Sequence, residues 1–170
     1  MKKVLIGSFV AIVLFGACAK TTDYQENCIA TYDPCALKAP AAEIDSVSKY
    51  LAANAATINN IGDTVKHCSG MYYIIDSVGN GATPEICSVV SFTYTGMLTN
   101  GNVFTGQNAA LSNARVASLI AGFKNALPNI KAGGGLHLFI PPTLGYGSSA
   151  TGDIPANSML IFQVSLTSVQ

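Results

Sequence analysis

From Val90 to Thr95 the chain alternates without a break, Val90, Phe92 and Tyr94 against Ser91, Thr93 and Thr95. A period of two turns the apolar side chains to one face and the hydroxyls to the other, which specifies a strand buried on one side only. Thr99-Asn100-Gly101-Asn102 follows, and a glycine at that place supplies the positive φ of a hairpin turn. A strand that buries one face needs further strands beside it and something to cover it, so the rest of the chain is read for both.

Those partners are found on either side. Ser69-Gly70 opens onto Met71–Ser77, rich in Tyr and Ile, and Gly79-Asn80-Gly81 with Pro84 ends that strand. Leu136–Ile140 follows three glycines, and Leu160, Phe162, Val164 and Leu166 mark the inward face of a closing strand. Ser118 is suited to cap a short apolar helix running to about Ala126, with Pro128 as its stop. The stretch from Gln107 to Arg115 is rich in Ala and Asn and has no clear period. Mostly antiparallel strands with one central helix make an α+β fold, and no internal repeat competes with it.

Four pieces occur in a telling order: the strand and hairpin Val89–Phe104, Leu119-Ile120-Ala121-Gly122-Phe123, Ile140-Pro141-Pro142-Thr143-Leu144-Gly145-Tyr146-Gly147, and Ile154-Pro155-Ala156-Asn157-Ser158-Met159-Leu160-Ile161-Phe162. Together they resemble the FKBP-type peptidyl-prolyl cis-trans isomerases. The resemblance implies an FKBP-like antiparallel half-barrel sheet wrapped on a short helix. It also implies an activity, isomerisation of X–Pro bonds, with proline-containing segments of exported proteins as substrates and macrolides as further ligands. Carried over by position, it places Tyr94 and Phe104 on one wall of a pocket, Leu119 and Ile120 at the entry to the helix, and Phe123 on the floor. The Ile120 backbone N–H becomes a donor to a ligand carbonyl, Tyr146 offers its hydroxyl, and Ile154 and Phe162 close the far side. Tyr94, Phe104, Ile120, Tyr146 and Phe162 are thus the expected catalytic set, and Leu119, Phe123 and Ile154 the substrate-binding set. Three departures stand beside the match. Thr105 occupies a position where the family usually has Asp, Asp153 replaces an apolar residue, and Gln107–Arg115 lacks aromatics, so no pocket residue is assigned there. Thr105 and Asp153 keep a second reading open: an FKBP-like binding or chaperone module with little or no turnover.

That chemistry needs neither nucleophile, metal nor cofactor. His67 beside Cys68 has no further ligands converging in sequence, so no metal site is expected. His137 falls on the outward phase of its strand and reads as a satisfied or solvated side chain. Charged residues are only 11% of the chain, with nine basic and nine acidic groups. That balance argues against a nucleic-acid partner, which calls for a basic stripe.

The amino end reads differently. Met1-Lys2-Lys3 precedes an uncharged run from Val4 to Phe15, which is too short to span a bilayer needing about 20 apolar residues. It reads as a signal segment. Gly16-Ala17-Cys18 resembles a bacterial lipobox, implying residues 1–17 as signal peptide, lipidation of Cys18 and a membrane anchor in the cell envelope, on the outer membrane, with the domain outside the cytoplasm. Cleavage near Ala17 with a free Cys18 is the alternative. Residues 18–27 would be the tether, 28–68 a small helical extension and 69–170 the FKBP-type domain. In the extension, Ile44, Val47, Leu51 and Ile58 share one helical face, with Pro40 at its first position and Glu43 and Asp45 favoured by the dipole. The helix, roughly 41–55, either caps the domain or makes a dimer contact. Cys28, Cys35, Cys68 and Cys87 form an even set, suited to two disulfides in an oxidising compartment, or else to four buried thiols. Cys28–Cys35 and Cys68–Cys87 are the preferred pairs, although sequence permits three pairings and decides none.

Overall fold

In the computed structural model, which describes residues 32–170, the alternating stretch folds as β3 (Val89–Leu98), one of two ten-residue strands. The others are β1 (Val65–Lys66), β2 (Tyr72–Ser77), β4 (Ala109–Arg115), β5 (Gly135–Ile140) and β6 (Leu160–Val169). They form one sheet in the order β1-β2-β5-β6-β3-β4, with every neighbouring pair antiparallel. The long central pair sets Tyr94 opposite Val164 and Gly96 opposite Phe162. The hairpin turn after β3 has Gly101 at φ +85°, and Gly101 N–H donates to the Leu98 carbonyl at 2.9 Å. The fold class is therefore the expected α+β arrangement, an open antiparallel sheet with a short helix on it.

Period-two burial sorts the side chains onto two faces. Val90, Phe92, Leu136, Leu138, Ile140, Leu160, Phe162, Val164 and Leu166 point to one face and share a core with Phe123, Ala126 and Leu127. Those last three belong to α2 (Ala121–Ala126) and the single 3-10 turn Leu127–Asn129 that continues it. Gly122 lets this helix lie close on the sheet, since a Cβ there would meet the Ile140 side chain. On the other face Ile74, Phe139 and Ile161 pack against Val47 and Leu51 of α1 (Ala41–Ala53). Each such large apolar side chain, once buried, contributes about 1.5–3 kcal/mol. The extension thus covers the sheet of its own chain.

Several expectations shift. Pro40 stands one place before the first turn of α1, where its carbonyl accepts from the Glu43 and Ile44 N–H groups at 3.0 and 3.1 Å. Ser118 does not cap α2. It ends a separate 3-10 turn, Val116–Ser118, and the extended Leu119 and Ile120 (ψ 163° and 153°) break the chain before the helix begins. The helix does end at Ala126, and Pro128 sits within the 3-10 turn that follows it, where a proline loses no needed N–H. Residues 109–115, which show no clear period in sequence, form an edge strand.

The disulfide pairing is also corrected. Cys35 is bonded to Cys68, with their Cα atoms 5.5 Å apart, which excludes both Cys28–Cys35 and Cys68–Cys87. Cys87 is disulfide-bonded as well. Cys18, Cys28, the signal segment and the tether lie outside the described residues. The reason for the change is that the segment after Tyr32 folds back over the loop before β2. Tyr32 donates from its hydroxyl to Asn125 of α2, and Ala39 N–H donates to the Ser69 carbonyl at 2.9 Å.

Candidate active site

The site begins with five rings that β3, β6, α2 and the hairpin bring together. Phe92 stacks on Phe123 with centroids 5.4 Å apart, and Phe123 meets Phe162 edge-on at 4.9 Å. Tyr94 lies 6.4 Å from Phe123 and 6.2 Å from Phe162. Phe104 stands edge-on to Phe162 at 5.6 Å. Edge-to-face and offset contacts of this kind add about 0.5–1.5 kcal/mol each beyond area burial. Gly96 makes room for them: a Cβ there would come within 2.6 Å of the Phe104 ring and 2.7 Å of Phe162.

The rings do not fill the space between them. They leave a cavity of about 280 Å³ lined by Tyr94, Leu119, Ile120, Phe123, Tyr146 and Phe162, together with Phe92, Leu111 and Ser118. Six of the eight expected site residues therefore meet at one opening. The other two stand behind it: Phe104 braces Phe162, and Ile154 is buried in the same core. Two larger hollows, of about 510 and 440 Å³, are lined by more mixed sets of side chains and lack the aromatic walls.

Three lining residues escaped the sequence reading. Phe92 was legible, because it lies two places before Tyr94 on the same strand face. Leu111 is the one large apolar residue of β4, whose Ala and Asn composition hides its pairing with Phe92. Ser118 reaches the rim because its 3-10 turn ends there, a matter of loop geometry that no local pattern announces.

The polar groups at the cavity are few. Ile120 precedes the first turn of α2, and its carbonyl accepts from the Phe123 and Lys124 N–H groups at 3.0 and 3.2 Å. Its own N–H has no acceptor among the described residues, nor do the Tyr94 and Tyr146 hydroxyls have partners there. Tyr146 is 38% exposed, at the mouth. Thr105 does not line the cavity. Its hydroxyl accepts from Gly96 N–H at 2.8 Å and donates to the Gly106 carbonyl at 3.0 Å, tying the hairpin strand to β3 behind Phe104.

The remaining candidate groups are engaged elsewhere. His137 pairs with Asp76 at 2.9 Å across β5 and β2. His67 Nδ1 lies 2.8 Å from Ser69 Oγ and accepts from Ser69 N–H at 3.2 Å, an arrangement that uses the Nδ1 lone pair and so favours the neutral ring. Burial lowers the pKa of this imidazole, as removal from water disfavours the charged form. Ser69 is fully buried and accepts from the Asn125 amide at 3.2 Å, which links this network to α2. With Cys68 in a disulfide, its thiolate is unavailable to a metal, and no group of three His, Cys, Asp or Glu gathers among the described residues.

Known proteins share this arrangement. FkpA, an FKBP-type peptidyl-prolyl cis-trans isomerase from Buchnera aphidicola of Schizaphis graminum, is 37% identical over 108 residues, covering 62% of this chain and 43% of that one. FkpA of Escherichia coli K12 is 35% identical over 104 residues, 60% of this chain and 38% of that one. The chain thus spans less than half the length of these curated relatives. The crystal structure of E. coli FkpA superposes with a TM-score of 0.62 at 30% identity, over 76% of this chain and 60% of that one. A peptidyl-prolyl cis-trans isomerase from Pseudomonas syringae pv. tomato gives 0.60 at 26% identity, over 78% of this chain and 98% of that one. The family model for FKBP-type peptidyl-prolyl cis-trans isomerase matches residues 81–167, half of the chain and every strand that walls the cavity, and the chain belongs to that family.

Proposed function

We propose that this chain accelerates cis–trans isomerisation of X–Pro bonds in exported proteins, working from an envelope membrane to which a lipid on Cys18 anchors it. The isomerase reading rests on one observation above the rest: an aromatic-walled cavity whose rim keeps an unspent N–H at Ile120 and two unspent tyrosine hydroxyls among the described residues. Rotation about the prolyl amide faces a barrier of about 18–20 kcal/mol from resonance. At the barrier the C–N bond is twisted and the carbonyl has lost part of its dipole. Water favours the planar, more polar amide, so a cavity of Tyr94, Phe123 and Phe162 that excludes water favours the twisted one. The Ile120 N–H and Tyr146 hydroxyl would hold the flanking carbonyls while the bond turns. In this reading residues 69–170 are the catalytic unit, residues 1–17 the signal peptide, 18–27 the tether and 28–68 the extension. Macrolides, being apolar carbonyl-bearing rings, would compete for the same cavity.

A binding module without useful turnover is the second reading, and Thr105 favours it. Its hydroxyl is already spent on Gly96 and Gly106, so the wall behind Tyr94 has no carboxylate to organise the site electrostatically. A protease-coupled assay on a proline peptide decides between them. Measurable but modest acceleration is expected, increased in Thr105→Asp. Uncatalysed rates for both folded proteins, with proline peptides still bound, would leave only the binding module. The anchor has its own test: Cys18→Ala should leave the membrane fraction or stay unprocessed, and normal processing with membrane retention would remove it.

A further inference from the structure

The loop that presents Tyr146 begins with a flaw that α1 repairs. Its 3-10 turn, Pro142–Leu144, follows Pro141. Neither proline has a side chain able to cap the turn, and Pro142 has no N–H, so the first orphan donor is the Thr143 N–H. No neighbouring side chain satisfies it. Glu43, in the first turn of α1 and 100 positions away in the chain, accepts from Thr143 N–H at 2.9 Å through one carboxylate oxygen. Its other oxygen accepts from the Thr143 hydroxyl at 2.8 Å.

Downstream the loop is held by backbone bonds that depend on the same turn. Gly145 and Gly147 N–H groups both donate to the Pro142 carbonyl, at 2.9 and 2.8 Å. The Gly147 carbonyl accepts from Asn157 N–H at 2.7 Å. Tyr146 stands between those two glycines, at the mouth of the cavity. Leu144 is fully buried and fixes the turn from below. Above it, the two bonds to Glu43 are the side-chain restraint on Thr143.

We propose that Glu43 is a positioning residue for the ligand cavity: its carboxylate, carried by a helix outside the family-matched residues 81–167, holds the Pro142–Gly147 loop so that Tyr146 faces a bound proline segment. The inference rests on the reading of Tyr146 as a ligand contact. It gives the extension a second role besides covering the sheet. Because Tyr146 itself makes no side-chain hydrogen bond among the described residues, the position of the loop backbone decides where its ring can reach.

The test is a double-mutant cycle on the full chain, read as the affinity for a proline-containing peptide, with thermal unfolding measured in parallel. Glu43→Ala should weaken binding by about three- to tenfold, the scale of one or two lost hydrogen bonds. Glu43→Gln should bind nearly as wild type, since its amide can accept from the Thr143 N–H and donate to the hydroxyl. In a Tyr146→Ala background the effect of Glu43→Ala should shrink below about twofold, because groups acting as a unit are not additive. A destabilised but otherwise passive helix would lower the unfolding temperature and leave the affinities of the folded proteins additive. Full affinity in Glu43→Ala, or additive losses, overturns the proposal. If Tyr146→Ala weakens binding in that event, only Glu43 loses its role; if Tyr146→Ala is itself neutral, the assignment of Tyr146 as a ligand contact falls with it.

Discussion

The two faces of this sheet are covered by helices of unequal ambition. On the face that receives α1, the side chains are largely aliphatic. Val47, Leu51, Ile74 and Ile161, with Phe139 and Met159, close on one another and leave little for solvent. On the face that receives α2, the helix is only six residues long, and the wall is built from Phe92, Phe123 and Phe162. On the first face the side chains interdigitate at ordinary interior density; on the second the rings of Phe104, Phe123 and Phe162 meet edge-on beside an open slot. The cluster on one face is therefore finished, with a separate hollow of about 510 Å³ only at its rim beside Tyr50 and Met159, while the other face keeps an aromatic-walled cavity of about 280 Å³ inside its cluster. The same period-two alternation along β6 serves both, with Leu160 and Phe162 turned one way and Ile161 the other.

The largest effects should come from cutting a side chain out of each face and asking what is lost. Phe123→Ala removes a ring in contact with three others, and such a deletion costs about 3–5 kcal/mol of stability. It should also abolish most proline-peptide binding, because the ring lines the cavity. Leu51→Ala, on the finished face, should cost about 2–4 kcal/mol and leave the affinity of the folded protein unchanged. Urea denaturation with peptide titration of each variant checks both. An affinity loss in Leu51→Ala as large as in Phe123→Ala would erase the contrast between the faces.

Next in size is the strap that closes the extension on itself where the domain begins. The Cys35–Cys68 bond closes a separation of 33 residues, for which loop-closure entropy gives about 3–4 kcal/mol, and engineered comparisons often show less. Replacing both cysteines by serine should lower stability toward that figure while peptide affinity holds, since neither residue lines the cavity. A peptide map of the unreduced protein should show Cys35 joined to Cys68. Cys87 is bonded to neither of them, and under the proposal that Cys18 carries a lipid the map is predicted to show it joined to Cys28. Finding Cys28–Cys35 instead would break the strap and the arrangement of the extension with it.

Much of the pocket face could be read before folding because its signals are local. Val90, Phe92 and Tyr94 announce their strand by alternation, and Asn100-Gly101 announces the turn. The exceptions have physical reasons. β4 was hidden because Ala109, Ala110, Asn113 and Ala114 have little intrinsic strand preference. Asn108 and Asn113 moreover adopt positive φ (52° and 55°), which interrupts any regular period. The disulfide could not be paired because Cys35 and Cys68 meet only when the segment after Tyr32 folds back, and spacing along the chain says nothing of that. Glu43 looked like a dipole-friendly first-turn carboxylate. Its bond to Thr143 spans 100 positions, a distance at which sequence pattern carries no trace.

The smallest expected effect separates the seam from both faces. His67 sits where the loop before β2 meets α2, its Nδ1 accepting from Ser69 N–H at 3.2 Å. Protonating that nitrogen would set N–H against N–H and place a charge in a partly desolvated site, and burial accordingly lowers the folded pKa. In the unfolded chain the imidazole titrates near 6.5. Below that value the unfolded state binds more protons than the folded one, so stability must fall as pH falls. The contribution is fully present above about pH 6.5 and is lost as pH drops through the lowered folded pKa. Asn in place of His67 supplies an acceptor for Ser69 N–H without a titrating group. The unfolding temperature of the wild type should therefore drop more than that of His67→Asn between about pH 7.5 and 5.5. Peptide affinity should stay equal in the two proteins across this range, because the cavity lies beyond the seam. Parallel pH profiles of unfolding would show that His67 is as easily protonated folded as unfolded, and that the Ser69 bond does not hold the ring neutral.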